Sequence, residues 1–160
     1  MIDDEVKGVL IAALLLMALL ASAQYYYSRT TGEPFSELGI LGPDQKIGGY
    51  PTTVLSGENV SLYLYVGNQE GHVMYYNVLV KLGDNSSVVN STTYLHAAPV
   101  ATYGVVLTNN QTLLEPITLN LTTPGTNVRV VFELWDYNTT TDSFTYTGLW
   151  NQLFVNVTSP

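Results

Sequence analysis

Two rhythms of hydrophobic and polar residues divide this chain of 160 residues. Between Lys7 and Arg29 no residue is charged, and Val9 to Ala23, VLIAALLLMALLASA, is a run of helix formers without Gly or Pro. A helix rising ~1.5 Å per residue crosses the hydrocarbon of a bilayer in about 20 residues, so Gly8 to Ser28 predicts a spanning helix. Tyr25, Tyr26 and Tyr27 follow where amphipathic rings settle among lipid headgroups. From Phe35 onward the period changes to two. In NVSLYLYVG, Val60, Leu62, Leu64 and Val66 share one face, and Ser61, Tyr63 and Tyr65 share the other. The same alternation groups Met74, Tyr76, Val78, Val80 and Leu82, then Ile117, Leu119 and Leu121, then Val128, Val130, Phe132 and Leu134. Leu149, Asn151, Leu153, Val155 and Val157 form a further set. Shorter segments, SELGIL, SVVNSTTYL, VATYGVVL and SFTYTG, read as additional strands.

Turn signals punctuate these runs at Gly42-Pro43, Gly48-Gly49, Ser56-Gly57, Glu70-Gly71, Gly83-Asp84-Asn85 and Pro124-Gly125. Seven to nine short strands with no helical segment between them predict an all-β fold, an antiparallel immunoglobulin-like β-sandwich preceded by one transmembrane helix. The domain plan is therefore residues 1–7 inside the cell, 8–28 in the membrane, 29–34 as a short polar stalk and 35–160 as the sandwich.

Composition narrows the function. Charged residues are 11% of the chain, and polarity is carried instead by Asn, Thr, Ser and Tyr. Five basic residues against thirteen acidic ones leave a net charge of -8, which repels phosphate backbones and argues against a nucleic-acid partner. There is no cysteine, so neither a disulfide framework nor a thiolate chemistry is available.

Asn-x-Ser/Thr, the acceptor pattern for N-linked glycans, occurs at Asn59, Asn85, Asn90, Asn110, Asn120, Asn138 and Asn156, never with Pro in the middle. Twelve asparagines and a Ser/Thr frequency near one in five would give roughly two or three by chance. A glycan needs a solvent face, and strand parity turns Asn59, Asn120 and Asn156 away from their apolar neighbours. Glycosylation fixes the topology as a single-pass protein whose carboxy-terminal domain lies outside; covalent glycans are expected and a cofactor is not. On an all-β domain poor in charge, sugar also shields strand edges from pairing with other chains.

The amino-terminal segment has two further readings. Ala21-Ser22-Ala23 fits a signal-peptidase site before Gln24, although MIDDEVK ahead of the apolar run is acidic where such signals are basic. Lys7-Gly8 before an apolar run resembles the processing site of archaeal pilins and archaellins, which also join a hydrophobic helix to a β-sandwich; Val9 to Ala13 lack the acidic residue common there. Loop charge leaves orientation open, since Lys7 is offset by Asp3, Asp4 and Glu5.

The stretch Phe35 to Asn85, with Ile40-Leu41-Gly42-Pro43, Tyr50-Pro51-Thr52, Gly57-Glu58-Asn59 and Gly67-Asn68-Gln69-Glu70 ahead of a Tyr-rich strand, resembles an archaeal membrane-protein family known by a domain-of-unknown-function label, sixteen-sixteen. Many of its members resemble several transmembrane helices followed by this domain, whereas one span is present here. PGTNVRVVFELWDYN, from Pro124, is similar to the closing hairpin of immunoglobulin-like adhesion modules of archaeal surface proteins. Neither resemblance implies a catalytic residue.

Candidate chemistry is sparse. His72 and His96 lack the spacing of a zinc site; Glu70 near His72 sits in NQEGH, which reads as a hairpin turn. No Gly-x-Ser-x-Gly elbow or phosphate loop occurs. Asp136 and Asp142, with Asn138, have the oxygen spacing of a Ca²⁺ loop but lack its glycine. Tyr63, Tyr65, Tyr75 and Tyr76 suggest an aromatic stripe for docking or carbohydrate contact, or ordinary cross-strand packing. The sequence thus predicts a membrane-anchored, glycosylated structural or interaction subunit, not an enzyme, whose partners are the lipid bilayer and other membrane or surface-layer proteins or copies of itself. The alternatives are a pilus subunit with its helix in a fibre core, and an extracellular module binding carbohydrate or an ion.

Overall fold

The computed structural model describes residues 3–29 and 33–160. The chain forms two compact units, 1–34 and 35–160. The first contains one helix, α1 (Asp4–Arg29). Asp3 caps it, its carboxylate accepting from the Asp4 amide at 3.0 Å and its carbonyl from the Lys7 amide at 3.1 Å. Asp4 and Glu5 in the first turn complement the positive end of the helix dipole. The segment Asp4–Tyr25 is long and apolar enough to cross a membrane, and its apolar side chains are exposed on every side, Leu14, Leu15 and Leu16 among them. An all-round apolar helix finds its solvent in lipid or among other helices. Of the expected stalk, Thr30 to Gly32 lie outside the described residues.

The second unit holds eight strands: β1 (Ser36–Leu41), β2 (Thr53–Leu55), β3 (Asn59–Asn68), β4 (Met74–Gly83), β5 (Pro99–Leu107), β6 (Gln111–Asn120), β7 (Gly125–Asn138) and β8 (Ser143–Thr158). They form a three-stranded sheet, β1-β3-β6, facing a five-stranded sheet, β2-β8-β7-β4-β5. This is the immunoglobulin-like order, in which β4 and β7 lie centrally opposite β3. The period-two faces meet between the sheets: Leu62, Leu64 and Val66 of β3, Tyr76, Val78 and Val80 of β4, Ile117 and Leu119 of β6, and Val130, Phe132 and Leu134 of β7 are all buried there. Each such side chain contributes roughly 1.5–3 kcal/mol of transfer free energy.

Several expectations change. SVVNSTTYL forms no strand; it lies in the long β4–β5 connection, with one isolated bridge between Asn90 and Thr93. NQEGH is no hairpin, since β3 and β4 belong to different sheets and the segment carries the chain between them. SFTYTG and LWNQLFVNV are one strand, β8, interrupted by a bulge where Gly148 (φ 83) adopts the left-handed region. The short β2 pairs with β8 in parallel, the one parallel ladder among the described residues.

Neutral groups occupy part of each edge of the three-stranded sheet. Tyr50 donates its hydroxyl to the Ile40 carbonyl at 2.6 Å and Asn151 its amide to the Leu38 carbonyl at 2.9 Å, capping two of the carbonyls that β1 turns away from β3. On β6, Pro116 stands opposite Tyr63 at a non-hydrogen-bonded position, so its missing N–H falls on the free edge. The Tyr103 hydroxyl reaches the neighbouring edge carbonyl, Thr118, at 3.4 Å.

Candidate functional site

All seven sequon asparagines are exposed. Parity delivers three of them as expected, with Asn59 beside buried Val60, Asn120 beside buried Leu119, and Asn156 between buried Val155 and Val157. Their distribution is uneven. The chain enters the sandwich at Ser36, which pairs with Asn68 at one end of β3, whereas Asn59 and Asn120 pair at the other end. Asn156 belongs to that far end as well, and Asn127 ties it to Asn85: the Asn127 amide donates to Asn156 Oδ1 and its Nδ2 to Asn85 Oδ1, each at 2.8 Å. Four sequons therefore gather opposite the point of entry. Asn110 caps the near end, its amide donating to the Asn68 carbonyl at 2.8 Å, and Asn138 closes the β7–β8 turn, accepting from the Thr140 amide at 2.8 Å.

Asn85 and Asn90 ride on a loop that the sequence did not reveal as built structure. Residues 84–98 fold back over the outer face of the five-stranded sheet. Asp84 starts the loop with a turn, its carboxylate accepting from the Ser86 hydroxyl at 2.7 Å and the Ser87 hydroxyl at 3.0 Å; these bonds hold its carboxyl below the usual range. Arg129 donates to the Ser87 carbonyl. Asn90 Oδ1 accepts from both the amide and the hydroxyl of Thr92 at 2.9 Å, an Asx-turn within the sequon itself. Val89 and Leu95 then pack on Val131, with Trp150 alongside.

Beneath this loop is a buried ion pair. Lys81 Nζ lies 2.9 Å from Glu133 Oε2, with the two side chains 5% and 0% exposed. Lys81 also donates to the Leu95 carbonyl at 2.8 Å, and Glu133 Oε1 accepts from the Leu95 amide at 2.5 Å. Trp135 Nε1 donates to Glu133 Oε2 at 3.1 Å, and the Lys81 ammonium stands 4.9 Å from the Tyr94 ring centroid. Tyr146 fastens the loop further by donating to the Asn90 carbonyl at 2.9 Å. Burial, with the Glu133 charge nearby, pushes the Tyr146 hydroxyl up to about 12. The arrangement seats a loop; every polar group in it is occupied by another group of the chain.

The remaining candidates do not converge. Asp136 lies on β7 opposite Tyr76 and Thr145, while Asp142 sits in the following turn and accepts from the Tyr137 hydroxyl. Among the described residues no group of three or more His, Asp or Glu is arranged to hold a metal ion. His72 Nδ1 contacts the Glu70 carbonyl at 2.9 Å, and the Glu70 carboxylate is instead taken by Ser36 Oγ at 2.6 Å. His96 packs beside Tyr94. The tyrosines form no single stripe: Tyr63 and Tyr65 lie on the outer face of the three-stranded sheet, Tyr75 on the outer face of the five-stranded one, and Tyr76 is fully buried. Aromatic contacts missed by the sequence gather on the five-stranded sheet, where Tyr75, Tyr137 and Phe144 form one group, and Trp135 and Tyr146 meet Tyr94 of the overlying loop in another.

Comparison with curated proteins gave no match. Among solved structures the chain is similar to the CARDB domain of a Pyrococcus furiosus protein, crystallised in complex with di-metal ions, at 13% identity and TM-score 0.48 over 79% of this chain and 90% of that one. It is similar to a β-glucosidase of Listeria innocua at 13% identity and TM-score 0.47, over 79% of this chain and 16% of the enzyme. A chain in the complex of Zinc 2-glycoprotein and Prolactin inducible protein from human seminal plasma matches at 9% identity and TM-score 0.48, over 81% of this chain and 99% of that one. These are likenesses of strand arrangement. The family model described as Domain of unknown function (DUF1616) matches residues 29–152, which takes in all of the sandwich but the end of β8 and extends well past the motifs between Phe35 and Asn85; the chain belongs to that family.

Proposed function

We propose that this chain is a membrane-anchored, N-glycosylated extracellular subunit that works by contact within a cell-surface assembly or membrane complex, and that it catalyses no reaction. The observation that carries the proposal is the placement of the sequons: seven exposed asparagines, four of them at the end of the sandwich remote from Ser36. In this reading α1 lies in the bilayer with Met1 inside and the sandwich outside, and sugar covers the end of the sandwich remote from Ser36. The partners are other membrane or surface-layer proteins or further copies of the chain, and the covalent glycans are its only non-protein component.

Glycopeptide mass spectrometry on the chain extracted from its own membranes tests the reading. Hexose-containing adducts are expected on several of the seven asparagines, with Asn85 and Asn90 among them. A chain unmodified throughout would overturn the outside placement of the sandwich and return the sequons to turn and edge chemistry.

A further inference from the structure

We propose that of the two sequons that face each other across β3 and β6, Asn59 carries the sugar and Asn120 remains bare. The inference rests on the glycosylation reading above and adds a choice that sequence alone does not make, because both asparagines satisfy the acceptor pattern.

Asn59 and Asn120 are direct cross-strand partners, and such partners hold their Cβ atoms about 4.5–5.5 Å apart on one face. The atom that receives the sugar is the side-chain amide nitrogen. In Asn120 this nitrogen donates to the Gly57 carbonyl at 2.8 Å and to Asn59 Oδ1 at 3.2 Å. The Gly57 carbonyl only accepts, so the atom facing it is the nitrogen, and the Asn59 atom facing that nitrogen is in turn an oxygen. An amide nitrogen has two hydrogens, and both hydrogens of Asn120 are directed at protein atoms. Replacing either by an anomeric carbon drives a sugar ring into the Gly57 carbonyl or into the Asn59 side chain.

Asn59 is placed differently. It uses its oxygen to accept from Asn120, and among the described residues its Nδ2 donates to no protein group. It also borders an open cleft of about 270 Å³ lined by Pro43, Pro51, Thr53, Glu58 and Ser61. The Glu58 carboxylate is already fixed by the Leu55 amide at 2.9 Å, and the proline rings offer an apolar surface to a pyranose. The cleft gives the first sugar of an Asn59 glycan a place beside the sheet, clear of Asn120.

The covalent step uses a lipid-phosphate-linked oligosaccharide and a membrane transferase as co-reactants. Asn59 Nδ2 forms a bond to the anomeric carbon as the carbon–oxygen bond to the lipid phosphate breaks. The phosphate leaves with the electron pair, and Nδ2 gives up one of its two protons to a base of the transferase. The acceptor pattern requires the hydroxyl two residues on, which is Ser61 for Asn59 and Thr122 for Asn120.

The test compares intact masses of full-length chains, expressed in the native host and extracted with detergent, for wild type, Ser61→Ala and Thr122→Ala, together with glycopeptide maps. Ser61→Ala is expected to remove the mass of one glycan, Thr122→Ala to remove none, and the Asn120 peptide of wild type to be bare. Loss of a glycan in Thr122→Ala, or Asn120 occupied as fully as Asn59, overturns the proposal. So does a chain glycosylated elsewhere with both asparagines bare, although that result leaves the wider glycosylation reading standing. Absence of glycan from all seven sites overturns both.

Discussion

Lys81 Nζ meets Glu133 Oε2 at 2.9 Å on the outer face of the five-stranded sheet, a face that would be solvent-exposed without residues 84–98 above it. The pair therefore belongs to the loop as much as to the sheet. Two charges removed from water are tolerated because Leu95 and Trp135 supply the remaining hydrogen bonds.

Removing one partner leaves the other uncompensated. Lys81→Met or Glu133→Leu alone is expected to destabilise the sandwich by about 3–5 kcal/mol, whereas the two combined should cost much less than the sum of the single changes. Urea unfolding of wild type, the single variants and the double variant measures the cycle; strictly additive losses would show that the pair does not act as a unit.

Gly148 provides a second handle on the same loop. A Cβ built there would stand 2.5 Å from the Ser91 carbonyl oxygen, and its φ is 83°. Gly148→Ala is expected to cost about 1–3 kcal/mol and to raise proteolytic cleavage between Asp84 and Ala98, read by limited digestion and mass spectrometry. Unchanged cleavage would mean that the bulge of β8 does not hold the loop down.

Alkaline pH should weaken the domain. The Tyr146 hydroxyl stands at about 12 against an ordinary 10.0, from burial first and the Glu133 charge second. The native state keeps that proton after the unfolded chain has lost it, so the stabilisation is complete below the ordinary value and declines as pH rises toward the native one. Tyr76 and Tyr103, raised chiefly by burial, and Tyr65 and Tyr137, raised chiefly by hydrogen bonds to Glu37 and Asp142, act in the same direction. Denaturation midpoints should fall between pH ~10 and ~12, and Tyr146→Phe should flatten part of that fall. An equal slope in the variant would remove Tyr146 from the account.

The helix distinguishes a lipid anchor from a fibre core. With α1 in a bilayer, the native chain keeps Met1 to Lys7, stays with membranes through carbonate washing and leaves them only with detergent. Leu15→Arg then costs ~2.5–3.5 kcal/mol of insertion free energy. A filament subunit would instead begin at Val9 and be recovered in sheared fibres, and amino-terminal sequencing of native material decides between them.

How much of this was legible varies with the range of the interaction. Val60 to Val66 and Ile117 to Leu121 announced their strands because burial on one face leaves a period of two in the chain itself. Val130-Val131-Phe132, three apolar residues in succession and all buried, carried a fainter sign that both faces of β7 are covered. What covers the second face was not visible: Lys81 and Glu133 occupy positions whose parity reads as solvent, and only tertiary folding of the loop buries them. Val88 and Val89 imitated a strand for the same reason, since Val89 turns inward from a loop to reach Val131 while Val88 stays exposed. The sequons could be counted, but the pairing of Asn59 with Asn120 depends on a register that joins distant parts of the chain.

The neutral groups at the edges of the three-stranded sheet have a consequence for the medium in which the domain works. Proteins that guard strand edges with lysine or glutamate rely on repulsion, and at 1 M ionic strength the Debye length contracts to ~3 Å, which silences that defence. Tyr50 and Asn151 occupying two outward carbonyls of β1, and Pro116 withholding a donor from the edge of β6, act by fit and by the absence of a hydrogen. Salt does not screen these guards, so whatever hindrance they set against edge pairing is the same in brine as in dilute buffer.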